Sequence, residues 1–139
     1  MFEDCIEFKD RRRVFTASEE GKTYTLNNLR NLEIAKVKVD GCMFNENVKK
    51  CDWLFLIAED KVIFVELKGS DIRQGVKQLE ETYNRLRNSI EVNEMWFRLS
   101  IGEKNSVPKS IRDNKVYKNL FAIAKGNLKI GKRLTDTIK

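Results

Sequence analysis

Asp52, Glu66 and Lys68 are the side chains whose types and spacing could do chemistry together. Thirteen residues separate the two acids, and a single residue separates Glu66 from the lysine. Converging carboxylates repel unless a hard cation lies between them, and oxygen ligands suit Mg²⁺ or Mn²⁺. A lysine beside such an ion is a compact point charge, able to orient a water or stabilise transition-state charge. This chemistry fits a phosphodiester, an anion that hydrolyses slowly unless developing charge is neutralised and a nucleophilic water supplied. It needs no histidine, and the chain has none. Ser-His-Asp and Cys-His hydrolases, His-ligated zinc and His general bases are excluded together.

These side chains need elements that bring them to one place. Trp53 to Ala58 is apolar on both faces and too short for an independent helix, so it reads as a central strand. Val62 to Leu67 returns as a second such strand, and the two form an antiparallel hairpin. Asp52 then opens the first strand while Glu66 and Lys68 close the second, which puts all three at one end of a sheet. Side chains alternate along a strand, so parity decides whether they share a face. A two-residue turn centred between Glu59 and Asp60 would pair Asp52 with Leu67 and send its carboxylate to the wrong side. The hairpin is therefore expected to have an odd loop, such as Glu59-Asp60-Lys61, or to contain a bulge.

Flanking elements follow the same logic. Ala35, Val37 and Val39 alternate with Lys36 and Lys38 as in a strand from Ile34, and Asp40-Gly41 ends it, with Cys42 to Lys50 turn-like. After Gly69-Ser70-Asp71, residues Ile72, Val76, Leu79, Tyr83, Leu86 and Ile90 recur at helical spacing. Asp71 with Gln74 makes a capping box, and Glu81 with Arg85 an i,i+4 pair. Met95 to Ile101 alternates as a further strand and is expected to return parallel, since a helix separates it from the hairpin. Ser106 to Lys118 reads as a short helix with Pro108 near its start, and Leu120 to Ala124 as a last buried strand. Lys22 to Leu26 is a short edge strand or a loop. The expected fold class is α/β, a mixed sheet of antiparallel strands, crossover helix and parallel strand in one domain.

Asp52 and the Glu66-Leu67-Lys68 triplet at a strand end, followed by a helix, resemble the restriction-endonuclease-like PD-(D/E)XK nuclease superfamily. The resemblance covers about residues 34–101, leaving 1–33 and 102–139 as elaborations. It implies metal-ligand roles for Asp52 and Glu66, a further ligand in the backbone carbonyl of Leu67, and a catalytic role for Lys68. It also implies a Mg²⁺-dependent endonuclease acting on DNA, with RNA as the alternative substrate. Cys51 stands where the family has a proline before the aspartate. Glu33 and Asp40 are candidates for a third acid. Gln78, ten residues after Lys68, is similar to a helix glutamine of helicase-associated relatives, although Tyr83 falls one position late for their motif. The (D/E)xK triplet starts at Glu7, Glu20, Glu59, Glu66 and Asp113, but only the Glu66 copy ends an apolar strand opposite an aspartate.

At 139 residues the chain has the size of one domain, and 41% hydrophobic with 35% charged residues is globular composition. Twenty-seven Lys and Arg against 21 Asp and Glu give +6, the sign of a polyanion binder. Lys9, Arg11, Arg12 and Arg13, with Arg73 and Lys77 on the helix, are candidate phosphate contacts; a solvated loop and a solvated helix face are the plainer readings. Trp53 and Trp96 are expected to pack. Cys5, Cys42 and Cys51 form no CxxC pair and are odd in number, which suggests reduced thiols. No run approaches membrane-spanning length and the start lacks a basic signal head, so a cytoplasmic location is expected. So small a chain has little surface for sequence readout, which points to a homodimer or larger protein complex. The competing class is a nucleic-acid-binding or interaction module without catalysis, in which the three polar residues form a solvated strand end.

Overall fold

The computed structural model describes residues 2–43, 51–58 and 60–139. In chain order the strands are β1 (Ile6–Asp10), β2 (Val14–Glu19), β3 (Lys22–Asn28), β4 (Ile34–Lys38), β5 (Trp53–Ile57) and β6 (Lys61–Lys68). Helix α1 (Ile72–Leu86) precedes β7 (Glu94–Ile101), and helix α2 (Lys115–Ile123) precedes β8 (Leu128–Lys132) and β9 (Leu134–Ile138). A six-stranded sheet has the order β1-β4-β5-β6-β7-β8, and a three-stranded sheet the order β2-β3-β9. Strands β1, β4, β5 and β6 pair antiparallel, whereas β7 and β8 join parallel, so the main sheet is mixed.

Apolar residues on both faces of β5 and β6 have a direct cause: the sheet is covered on both sides. Leu54, Val62, Phe64, Phe97 and Leu99 face α1 and bury against Ile72, Val76 and Leu79. Phe55, Ile63, Val65 and Leu67 face the small sheet and bury against Phe15, Tyr24 and Leu26. Helix α1 starts where the capping box places it, with the Asp71 side chain accepting from the Gln74 N–H at 3.0 Å. Glu81 and Arg85 pair at 3.1 Å one turn apart. The helix ends at Leu86 and a short 3₁₀ turn carries the chain to Ile90, which stays buried.

The two sheets are pinned together by a buried polar cluster. Arg98, 1% exposed on β7, donates through Nε to Asp136 Oδ2 at 2.6 Å and through Nη2 to Asp136 Oδ1 at 3.2 Å. Tyr24 donates its hydroxyl proton to Asp136 Oδ2 at 2.8 Å, and the remaining Arg98 protons reach the Phe97 and Asn127 carbonyls and Asn127 Oδ1. Every strong donor and acceptor is thus paired, as a buried ion pair requires. Nearby, Ser100 Oγ donates to the Thr23 carbonyl at 2.6 Å.

Several sequence expectations are corrected. The first thirty residues, with only Lys22 to Leu26 expected as a short edge strand or a loop, hold three strands, because Phe15 and Ala17 face inward on β2 and Tyr24 and Leu26 on β3. The expected helix over 106–118 is a 3₁₀ turn at Lys109–Asp113 followed by α2, and the expected strand over Leu120–Ala124 lies in and at the end of that helix. Leu120 and Ala124 are four apart and both buried, a helical repeat that a short apolar run conceals. Cys5 and Cys42 form a disulfide rather than two reduced thiols, with Cα atoms 5.8 Å apart, while Cys51 is free and buried. Counting cysteines could not show that β1 and the turn after β4 run side by side. Most of the turn-like Cys42 to Lys50 segment lies outside the described residues. No helix among the described residues is long and apolar enough to cross a membrane.

Candidate functional site

The parity expectation for the hairpin holds. Ile57 pairs with Lys61 and Trp53 with Val65, which leaves a three-residue loop over 58–60, one position earlier than the expected 59–61. Glu59 itself lies outside the described residues. Asp60 N–H donates to the Ile57 carbonyl across the loop, and Ala58 takes the left-handed conformation with φ 52°. Continuing the register one step sets Asp52 opposite Glu66, on the α1 face that carries Leu54 and Phe64.

Backbone and side-chain bonds fix that juxtaposition. Asp52 N–H donates to the Val65 carbonyl at 3.1 Å, and Asp52 Oδ2 accepts from the Leu67 N–H at 2.8 Å. The Asp52 and Glu66 carboxyls are close enough for each to shift the other's ionisation. Glu66 is 2% exposed, and its Oε1 has no hydrogen-bond partner among the described residues. Asp52 and Lys68 are half-buried. Two neighbouring acids, one of them buried, make ionisation of both costly. Burial, then the negative charge of Asp52, pushes Glu66 up to about 10, with Lys68 pulling the other way. Burial likewise raises Asp52, partly offset by its bond to Leu67 and by the Glu66 carboxyl, and reinforced by the charges of Glu19 and Asp40.

Helix α1 supports the site from one side. Gly75 lets its first turns approach the strands: a Cβ there would lie 2.9 Å from Leu99 Cδ1 and 3.4 Å from Lys68 Cβ. Thr82 Oγ1, seven residues on, accepts from the Cys51 N–H at 2.7 Å and donates to the Gln78 carbonyl at 2.9 Å. The residue immediately before Asp52 is thereby tied to the helix. Gln78 lies between Gly75 and Thr82 on one ridge, which places it on the flank of α1 that meets the site. Cys51 is an inert thiol here, its pKa held up by burial and then by the charge of Glu66.

The remaining candidates separate by position. Asp40 is at the site end: Val39 N–H donates to the Asp52 carbonyl at 3.0 Å, and Asp40 lines a shallow cavity of about 220 Å³ with Ser18, Glu19, Lys38, Asp52 and Trp53. Glu33 is at the other end. Its carbonyl accepts from Ala58 N–H beside the hairpin loop, so the five residues of β5, roughly 17 Å, separate it from Asp52. The structure thus keeps Asp40 and removes Glu33 as a neighbour of the acidic pair. Lys9, Arg11, Arg12 and Arg13 lie at that far end too. Lys9 faces Glu33 at 3.9 Å, Arg12 pairs with Asp10 at 2.7 Å and covers the Phe8 ring, and Arg11 donates to the Asn31 carbonyl. Arg73 and Lys77 sit exposed on the first turns of α1, at the site end, with Arg73 donating to Ser110 Oγ at 2.8 Å. Trp53 and Trp96 are half-buried, with Lys36 and Lys61 respectively over their rings at 4.1 Å, so both serve as packing surfaces.

Glu19, Lys22 and Thr82 are site neighbours that sequence reasoning missed. Glu19 and Lys22 pair across the β2–β3 turn, and that turn hangs over the end of β6. Buried Lys22 pairs with Glu20 at 3.6 Å and reaches within 4.0 Å of where a Gly69 Cβ would stand. The alternating Phe15, Ala17 and Tyr24, Leu26 around Gly21 signal that hairpin, but nothing local says over which strand it folds.

The arrangement is one buried and one half-buried carboxyl beside one amine. Among the described residues no three His, Cys, Asp or Glu side chains gather closely enough to hold a metal by themselves. Glu19 and Asp40 therefore act on the pair through their charge. An ion at Asp52 and Glu66 would need its other ligands from backbone, water or substrate, which suits Mg²⁺, an ion that keeps several waters. The pair fits such an ion: the bare Glu66 Oε1 is an acceptor without a donor, and a buried group in that state is costly unless something satisfies it. Comparison of the chain with protein-family models, with curated proteins and with solved structures finds no match in any of the three, so its own site chemistry must carry the functional reading.

Proposed function

We propose that this protein is a metal-dependent nuclease of restriction-endonuclease-like architecture that hydrolyses phosphodiester bonds, with DNA as substrate. Asp52, Glu66 and the Leu67 carbonyl would hold Mg²⁺ or Mn²⁺, and the ion would supply charge neutralisation at the phosphate and a water of lowered pKa. Asp52 Oδ2 is held by the Leu67 N–H, and Glu66 stands opposite on the neighbouring strand with its Oε1 unpartnered. Glu66 must give up its proton to bind a cation, and the positive charge of Lys68 favours that ionisation. Lys68, two residues along the same face, would orient the attacking water and stabilise charge on the phosphate. A homodimer or larger assembly would extend the small surface that one chain offers for specificity.

The observation that carries this reading is the buried, partnerless Glu66 Oε1 set beside Asp52 and a half-buried lysine. A strand end serving only solubility would leave its charges in water, where they cost nothing. The test is cleavage of supercoiled plasmid and of circular single strands in Mg²⁺ or Mn²⁺ by the wild type and by Lys68→Ala. Nicking by the wild type, lowered about a hundredfold or more in the variant, is expected. Equal cutting by both, or cutting by neither although the protein binds the strands, would overturn it, the latter in favour of a binding module.

A further inference from the structure

The chain's positive charge is not spread evenly. Residues 104–139 carry ten Lys and Arg against two Asp and Glu, so this quarter of the chain exceeds the net +6 of the whole, and residues 1–103 are slightly acidic. In this segment Lys109, Arg112, Lys115, Lys118, Lys125 and Lys132 make no ion pair among the described residues. In the basic run near the N-terminus, by contrast, Lys9 and Arg12 face acids of their own. Uncompensated cations gathered on one part of a surface are the electrostatic footprint of a polyanion.

Two of these cations, Arg112 and Lys118, line a groove of about 380 Å³ with Tyr117, Phe121 and Leu128. An adjoining one of about 310 Å³ shares Arg112, Tyr117 and Leu128. Tyr117 and Phe121, one turn apart on α2, are stacked with ring centroids 6.0 Å apart and planes 22° from parallel. Tyr117 packs against the core, whereas Phe121 is 45% exposed and extends the stack into solvent. Ser110, two residues before Arg112 on the same 3₁₀ turn, accepts from Arg73 on the first turn of α1, five residues after Lys68 ends β6.

We infer that the groove of the 3₁₀ turn, α2 and β8 is the docking surface for a single nucleic-acid strand, with Phe121 as the stacking platform for an unpaired base and Arg112 and Lys118 as phosphate contacts. The inference rests on the nuclease reading for its substrate class and deepens it. Aromatic faces take bases whose own faces are open, and in a duplex neighbouring pairs cover them. The strand would thread from Phe121 past Arg73 toward Lys68.

The experiment is fluorescence anisotropy with a labelled thymidine oligonucleotide and with a blunt duplex of equal length, in EDTA, across a salt series, using the full chain. Reading binding without metal, and repeating it on Lys68→Ala, separates this inference from the nuclease reading: loss of cleavage leaves it standing. Phe121→Ala is expected to weaken single-strand binding roughly tenfold, the scale of one base stack, with Phe121→Trp restoring it. Arg112→Gln with Lys118→Gln is expected to flatten the salt dependence by about 0.7 for each phosphate no longer neutralised. Unchanged single-strand affinity in a folded Phe121→Ala protein would overturn the inference. So would a wild-type dimer that Phe121→Ala dissociates without altering nucleic-acid affinity, since the groove would then be an interface between copies.

Discussion

A single carboxyl dominates the electrostatics of the proposed site. Glu66 carries a raised pKa of about 10 from burial and from Asp52, against an ordinary value of 4.5 when unfolded. Between those values the folded state holds a proton that the unfolded state has released, so metal-free stability falls as pH rises through that window and is fullest below it. Glu66→Gln removes that dependence. In EDTA it should melt above the wild type at pH 8, by the equivalent of about 1–3 kcal/mol, and the gap should close toward pH 5. A wild-type melting temperature flat from pH 5 to 9 would contradict the assignment. Mg²⁺ should stabilise the wild type more at high pH and leave Glu66→Gln unmoved in the same thermal scan. At this scale the sequence was legible. Glu66 is conspicuous as the one acid in an apolar strand, and if Asp52 is to share its face, strand parity calls for an odd loop or a bulge; the hairpin has the odd loop. Glu19 and Lys22 were illegible, because the charge they bring to the site depends on where a separate sheet lies.

Helix α1 shows how an element holds such a site. Thr82 is fully buried and bonds the backbone ahead of Asp52, so Thr82→Val keeps the shape and strands the Cys51 N–H. A loss of about 1–3 kcal/mol in chemical denaturation is expected, and cleavage should fall further than stability alone accounts for, because Asp52 loses its anchor. If Thr82→Val cleaves at the wild-type rate, the helix does not position the acid. The helix itself was readable from its apolar stripe and cap, as were β5, β6 and β7. Helix α2 was not, since Leu120 to Ala124 is as apolar as a short strand and only its packing against α1 decides between the periods. Strands β8 and β9 escaped notice for a similar reason: Lys129 and Lys132 dilute the apolar pattern of β8, and Thr135, Asp136 and Thr137 that of β9, at the sheet edges.

At the scale of the molecule, the two sheets must stay in register for the β2–β3 turn to remain over the acidic pair. The Arg98–Asp136–Tyr24 cluster is their polar link, and removing one partner leaves the other charge buried. Arg98→Ala should cost about 3–5 kcal/mol in urea denaturation, whereas Arg98→Met with Asp136→Leu should cost clearly less. Equal losses would mean the cluster is not acting as a pair. The Cys5–Cys42 disulfide closes a loop of 37 residues that carries β1 to β4 and ends just past Asp40. Its reduction should cost about 2–4 kcal/mol, read as a lower melting temperature in dithiothreitol that Cys5→Ala matches without reductant. Neither link could be foreseen from sequence, because each joins residues far apart in the chain whose approach is set by the completed fold.

The site as a whole stands or falls on whether Asp52 and Glu66 share a divalent ion. Anomalous diffraction from crystals soaked in Mn²⁺ tests this directly. The expected result is a peak between the two carboxyls, close to the Leu67 carbonyl and absent from Glu66→Gln crystals. A fully soaked crystal with no peak there would contradict the account.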